Sequence, residues 1–251
     1  MRDTTTQLSR QHAAATRAPV KNATGKLGTQ MRGKLQQDYQ ARGKTRYSLW
    51  YHYSPKACAD VVLHGDPQYY HFLLAESDPL VASARYDIQQ DARRIVGEEL
   101  GQIADVEIRK TDGSVVWRCV RNEVSDALAL KVDNLQSLIG LRIHAELPQR
   151  IETVTLAEVT TKPVRLQNWH RLLPYLAQAR DWPLHEFGNE LATLLHTREE
   201  VALSDVIALA EPGMEGLYVA ALARAVQFGR FRSNLDEIPW GLGSRFWSAQ
   251  S

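Results

Sequence analysis

The chain is poor in the features that mark secreted, membrane-embedded or metal-clustered proteins. Its two cysteines, Cys58 and Cys119, are too few for a disulfide framework and lack zinc-ligand spacing, which points to a reducing cytoplasm. No stretch approaches the roughly 20 apolar residues of a membrane-spanning helix. The N-terminal stretch also lacks the apolar core of a secretory signal, so no membrane partner is expected. No internal repeat is visible. Gly241 and Gly243 form a Gly-x-Gly pair with neither a strand before it nor a helix after it, which argues against a phosphate-binding loop. What is present, 251 residues of which 44% are hydrophobic and 24% charged, suffices for one large core or two modest ones.

Acidic residues are nearly missing from residues 1–47. Ten Lys/Arg stand there against Asp3 and Asp38, a net charge of +8, while the remainder carries −7 and the whole chain only +1. With almost no apolar periodicity, residues 1–46 are expected to be a disordered basic arm. Lys26, Arg32, Lys34, Arg42, Lys44 and Arg46 are its candidate nucleic-acid contacts. A solvated tail or a mitochondrial presequence has the same composition.

Order is expected from the aromatic run Tyr47–Tyr53 onward. Asp66 and Pro67 suggest a helix start, as N-cap and first helical residue, with Tyr69, Tyr70, Phe72, Leu73 and Leu74 as its apolar face and Asp78-Pro79 as its end. Leu80–Ile88 reads as a strand, Gln89–Arg94 as a polar run, and Ile95-Val96 as a second strand or turn. Apolar spacing predicts a helix over Ser125–Leu141, a strand over Leu141–His144 and another from Glu152 to Thr155. From Leu166 the pattern becomes helical: Leu166–Ala179, Leu184–His196, Leu203–Ala210 with Ser204 as cap, and Gly216–Phe228 followed by Gly229. Phe228–Leu235 then reads as a short wing or β-turn, with Arg230 and Arg232 as candidate phosphate contacts; exposed hairpin charges look the same. These boundaries divide the chain into the arm, an α/β domain over 47–165 and a helical, winged-helix-like domain over 166–251.

The most informative stretch is Ile103–Arg121. It reads as two strands joined at Asp112-Gly113, with Asp105 opening the first and Cys119 and Arg121 sharing one face of the second, because strand side chains alternate. His52, His64 and His71 match no metal template. Trp169, Trp182, Trp240 and Trp247 are expected in core packing, with Trp240 and Trp247 as alternative partner contacts.

Taken in order, the segments resemble the TnsA-type endonuclease subunit of heteromeric transposases, within the PD-(D/E)XK restriction-endonuclease-like fold. The resemblance runs through Phe72–Val81, Tyr86–Gln89, Ala104-Asp105-Val106, Thr111-Asp112-Gly113, Val154–Val159 and Leu166–Leu173 around Asn168, and spans roughly residues 65–235. It implies a restriction-endonuclease-like α/β core followed by a mostly helical domain. It also implies a DDE transposase and an AAA+ regulator as partners, DNA as ligand, and a bacterial cytoplasm. In active members carboxylates hold Mg²⁺ and a lysine serves the attacking water.

Matched residue by residue, only Asp105 is retained as a metal ligand. The helix glutamate falls at Gln68 or Pro67, the Glu/Gln position at Cys119, a soft thiol, and the lysine at Arg121, which holds phosphate but cannot act as a base. Asp66, Asp87, Glu107 and Glu123 are conceivable recruits. The resemblance therefore implies a DNA-binding, catalytically degenerate subunit acting at transposon ends, with no cofactor. The alternatives are an active Mg²⁺-dependent endonuclease cutting the non-transferred strand, a winged-helix DNA-binding regulator without nuclease ancestry, and a pure interaction module.

Overall fold

The computed structural model describes residues 48–141 and 147–249. The basic arm with its candidate contacts Lys26 to Arg46, and the predicted strand beyond Leu141, lie outside them. Strands β1 (Leu49–Ser54) and β2 (Ala59–His64) form an antiparallel hairpin. It leads into helix α1 (Gly65–Ser77). α1 begins one residue ahead of the predicted cap. His64 occupies the N-cap position, and Asp66 instead accepts a hydrogen bond from Trp50 Nε1 at 3.1 Å.

A four-stranded sheet follows, from β3 (Val81–Arg85), β4 (Val106–Lys110), β5 (Val115–Arg121) and β6 (Arg150–Thr155), in that spatial order. The β3–β4 and β4–β5 pairs are antiparallel and β5–β6 is parallel. Helix α2 (Gln89–Val96) and the turn-length α3 (Glu98–Gly101) lie between β3 and β4. A strand or turn was expected at Ile95-Val96. Helix wins because Ile88 and Ala92, four residues apart, both bury against the sheet core. The predicted β4–β5 turn is present: Gly113 sits at φ +83°, and Asp112 Oδ1 accepts from the Ser114 amide at 2.8 Å. The parallel pair needs a crossover, supplied by α4 (Asp126–Gly140), capped by the Ser125 side chain on the Leu128 amide.

Register puts different chemistry on the two faces of the sheet. Val106 pairs with Arg118 and Ile108 with Val116, and Val106 and Ile108 pack with Ala75 of α1. On the opposite face Trp117, Cys119 and Ile151 pack with Leu135 and Ile139 of α4. The fold is thus mixed α/β, with a helix on each side of the sheet.

After α5 (Leu156–Val159), closed by a Thr155–Glu158 capping box, come α6 (Pro163–Gln178), α7 (Leu184–Thr197), β7 (Val201–Ala202), α8 (Leu203–Leu209), α9 (Glu215–Gln227), β8 (Phe231–Ser233) and β9 (Arg245–Ser248). The last three strands form an antiparallel sheet ordered β7-β9-β8. Ser204 does not cap α8. Asp205 does that work instead, accepting from the Ala202 amide at 3.1 Å. The predicted Gly229 stop is a Schellman end: Gly229 at φ +69° donates to Val226 O and Arg230 donates to Ala225 O.

α9 is buried along most of its length, from Tyr218 to Gln227. One apolar core joins it to α6, α7, α1 and β2 through Trp169, Leu172, Phe187, Phe72 and Leu63. Within this core Glu76 is fully buried. It accepts from the Ser54 hydroxyl and from Gln227 Nε2 (2.5 Å). Burial raises its carboxyl to about 7. Lys56 nearby donates to the carbonyls of Ala75 (2.9 Å) and Asp78. The Asn168 side chain, fully buried, donates to Leu235 O (2.7 Å) and Ile238 O (2.8 Å) and accepts from the Trp240 amide (2.7 Å), fixing the β8–β9 loop. No helix among the described residues is long and apolar enough to cross a membrane.

Two outcomes are expected. Asn168→Ala strands three backbone groups, that of Leu235 buried and those of Ile238 and Trp240 part-buried, at about 1–3 kcal/mol for each one that water cannot reach. Stability falls by about 2–4 kcal/mol on that basis, and hydrogen exchange should accelerate first over 234–241. The second concerns His71, whose Nε2 accepts from Arg118 Nη1 at 3.1 Å beneath the Arg118–Glu152 ion pair. Burial, with Arg118 adding to it, pushes this histidine down to about 3. Between the unfolded value near 6.5 and the folded value the unfolded chain binds a proton that the native state refuses. The His71 contribution to stability is therefore complete above about pH 6.5 and declines below it by up to about 1.4 kcal/mol per pH unit, while Glu76, with its raised carboxyl, contributes with the opposite sign over much of the same window. In urea titrations from pH 7 to 4 the difference between wild type and His71→Gln, in which the Glu76 contribution cancels, should show the His71 slope.

Candidate functional site around Asp105

Three of the four positions matched above meet in space. Asp105 immediately precedes β4, and its amide donates to Arg118 O at 2.9 Å, extending the ladder with β5. Its side chain is 4% exposed, and both oxygens are taken. Oδ1 accepts from Gln68 Nε2 at 3.3 Å and from Gln89 Nε2 at 3.5 Å. Oδ2 accepts from the Val120 amide at 2.7 Å and from Arg121 Nη1, with which it forms an ion pair. The cluster sits where β5 and the parallel β6 end, next to the first turn of α1. Such strand ends are frequent ligand sites in α/β proteins.

Each partner is held from behind. Gln68 Oε1 accepts from the His64 amide at 2.8 Å, which turns its amide nitrogen toward Asp105. Arg121 Nη1 also donates to Val120 O at 2.7 Å, leaving Nε and Nη2 to a partly exposed surface. Cys119 shares the sheet face of Arg121 but is fully buried in the α4-side core. Burial pushes its thiol up to about 11, so it has no thiolate character at neutral pH. Burial also lifts the Asp105 carboxyl above its ordinary value, against the pull of Arg121 and the Val120 amide.

The donor set does not fit Mg²⁺. A hard dication needs several oxygen ligands, whereas Asp105 already has a cation on Oδ2 and two amide N–H groups on Oδ1. Among the described residues no group of three or more His, Cys, Asp or Glu is placed to hold a metal. Two of the four conceivable recruits are engaged elsewhere: Glu107 with Trp117 Nε1 at 3.1 Å, and Asp66 with Trp50. What the cluster can do is present the remaining N–H groups of a fixed guanidinium at the end of β5, able to hydrogen-bond a phosphate and unable to accept a proton.

Arg230 and Arg232 lie apart from this cluster in the chain's C-terminal sheet. Arg232 is exposed on β8 opposite Trp247, and Arg230 is exposed just after Gly229. His52 stacks among Trp50, Tyr69 and Phe72 while His71 faces Arg118, so these histidines form no shared site. Sequence reasoning missed Gln89 and the Val120 amide. The first opens the polar run Gln89–Arg94 and is matched to no ligand position of the resemblance, and the second is a backbone group visible only once β4 and β5 pair.

The pair is asymmetric, and the mutants should show it. Arg121→Ala leaves a buried carboxylate without its cation and is expected to cost about 3 kcal/mol or more. Asp105→Asn leaves Arg121 free to turn to water and should cost about 1–2 kcal/mol. Lowering the pH should restore part of the loss in Arg121→Ala, because Asp105 can then become neutral. Equal losses at all pH values would contradict this account of the ion pair. Compared with protein-family models, curated proteins and solved structures, the chain matches none of them.

Proposed function

We propose that this protein is a DNA-binding subunit of a transposition machinery, built on a nuclease fold whose metal site has become an ion pair. The observation that carries the reading is the seating of the Arg121 guanidinium on Asp105. The supporting topology is α1–β3–α2–α3–β4–β5–α4–β6 around a sheet with a parallel β5–β6 pair, which resembles a restriction-endonuclease-like core with α2 and α3 inserted between β3 and β4. Asp105 immediately precedes β4, Gln68 reaches it from α1, and positions 119 and 121 lie on β5, in the chain order of the resemblance described for the sequence. A fixed positive charge then takes over the phosphate-neutralising part of a metal's role, without its water activation.

The C-terminal order α7–β7–α8–α9–β8–β9 resembles that of a winged helix; because Phe231–Ser233 is strand β8, the wing in that comparison is residues 234–244 and not the predicted Phe228–Leu235. In that comparison α9 stands where a recognition helix would be. Its burial from Tyr218 to Gln227 favours β8, with Arg230 and Arg232, over α9 as the DNA-facing element, together with the basic arm. On this reading the protein acts architecturally at transposon ends, beside a DDE transposase and an AAA+ regulator.

The test uses the full chain in two parts. In fluorescence anisotropy with duplex DNA, contact with six or so phosphates lowers affinity by about 10³-fold between roughly 50 and 200 mM salt. In calorimetry the wild type is expected to give no Mn²⁺ heat, whereas Gln68→Glu combined with Arg121→Lys should acquire binding that Asp105→Asn abolishes. Strand cleavage by the wild type, lost in Asp105→Ala, would instead establish an active endonuclease. Absence of salt-dependent DNA binding would leave an interaction module.

A further inference from the structure

A cavity of about 770 Å³ opens between the β1–β2 hairpin, the α6–α7 turn, the end of α9 and β8. Its size falls within the range of roughly 300–1,000 Å³ usual for small-molecule sites. Its wall carries Arg180, Arg224, Arg230 and His185 and no Asp or Glu. Arg180 is already engaged, pairing with Asp60 at 3.5 Å and lying 5.6 Å from the centroid of the Tyr53 ring. Arg224 and Arg230 have no ion-pair partner among the described residues. Glu76 feels the charge of Arg224, but its oxygens are taken by Ser54, Gln227 and the Lys56 amide.

The same wall carries flat surfaces. Phe228 is 39% exposed, and the Arg224 guanidinium lies 4.9 Å from its ring centroid. Trp182 and Tyr53 contribute further aromatic lining. Gly229, in the left-handed region and close against Pro79, turns the chain so that Phe228 and Arg230 both reach the cavity. The neighbouring larger hollow, of about 1050 Å³, is lined by Glu199 and Glu200 as well as Arg198, and so does not select an anion.

The geometry points to a binding site for a nucleoside phosphate, with the phosphate on Arg224 and Arg230 and the base against Phe228 and Trp182. Two unpaired guanidiniums in a wall without carboxylates select an anion, and phosphate accepts their N–H groups in pairs. Beside them one exposed ring, Phe228, with Lys56 Nζ 5.9 Å from its centroid, and the half-buried Trp182 select a planar group, since bases stack on aromatic and guanidinium planes. Such a ligand could be a free nucleotide or the 5′-phosphorylated end of a DNA strand. The site is separate from the Asp105 cluster but shares Arg230 with the DNA-facing strand proposed above; dAMP binding tests it apart from duplex binding.

The experiment is calorimetry on the full chain with dAMP, deoxyadenosine and inorganic phosphate, followed by displacement of dAMP with a 5′-phosphorylated single-stranded oligonucleotide. dAMP is expected to bind at least roughly tenfold more tightly than deoxyadenosine or phosphate alone. Arg224→Gln and Arg230→Gln should each weaken it by about tenfold, the value of one charge-assisted contact. Arg230 is exposed, so its variant keeps the test valid even where Arg224→Gln unfolds, and Phe228→Ala tests the stacking surface by itself. Displacement by the oligonucleotide assigns the site to a strand end, and failure to displace assigns it to a free nucleotide. No dAMP binding, binding unchanged in Arg230→Gln, or phosphate binding as tightly as dAMP would overturn the proposal.

Discussion

Helix α1 is buried on both sides, and the rest of the molecule is arranged around that constraint. One side meets the four-stranded sheet through Ala75, and the other meets α6 and α9 through Tyr69, Phe72 and Leu73. A helix so enclosed cannot leave its polar side chains to water, and buried polar groups require partners. Gln68 reaches Asp105, His71 reaches Arg118, and Glu76 reaches Ser54 and Gln227. These bonds tie the helix in turn to the candidate site, to the sheet and to the C-terminal helices. The site therefore depends on packing that extends well beyond its own strands.

The Asp105 cluster shows how a few changes of residue type alter the chemistry available to a fixed geometry. A glutamine opposite an aspartate supplies a donor where a second carboxylate would demand a cation. An arginine two residues beyond a buried cysteine supplies that cation permanently, because a guanidinium does not titrate in proteins. With the thiol of Cys119 shut into the core, no group of the cluster is both accessible and able to exchange a proton near neutrality. Binding, not proton transfer, is the chemistry such a site supports.

Packing also redirects the C-terminal part. α9 is an alanine-rich helix with one arginine, Arg224, and its burial leaves it little surface with which to read anything. Charge and aromatic surface instead gather just past its end, where the turn at Gly229 brings Phe228 and Arg230 round to the α6–α7 connection. The proposed nucleoside-phosphate site and the proposed DNA-facing strand both arise from this displacement of function off a helix and onto the chain that follows it.

The sequence by itself determined the local devices: the Asp112-Gly113 turn, the Gly229 stop, the four C-terminal helices to within a few residues, and the two strands of the hairpin that Asp105 precedes and Arg121 closes. Each follows from backbone preferences or from apolar periodicity within a short window. Where two local signals competed, neighbours decided. Ile88 and Ala92 drew Gln89–Val96 into a helix against the sheet, and Asp205 displaced Ser204 as the cap of α8. Only the tertiary structure decided that Gln89 and the Val120 amide join Asp105, that Glu76 closes against Gln227 across 151 residues, and that α9 lies inside. Those outcomes depend on which distant surfaces meet, and on burial that turns a polar side chain into an obligatory hydrogen-bonding partner. No short window of sequence contains that information.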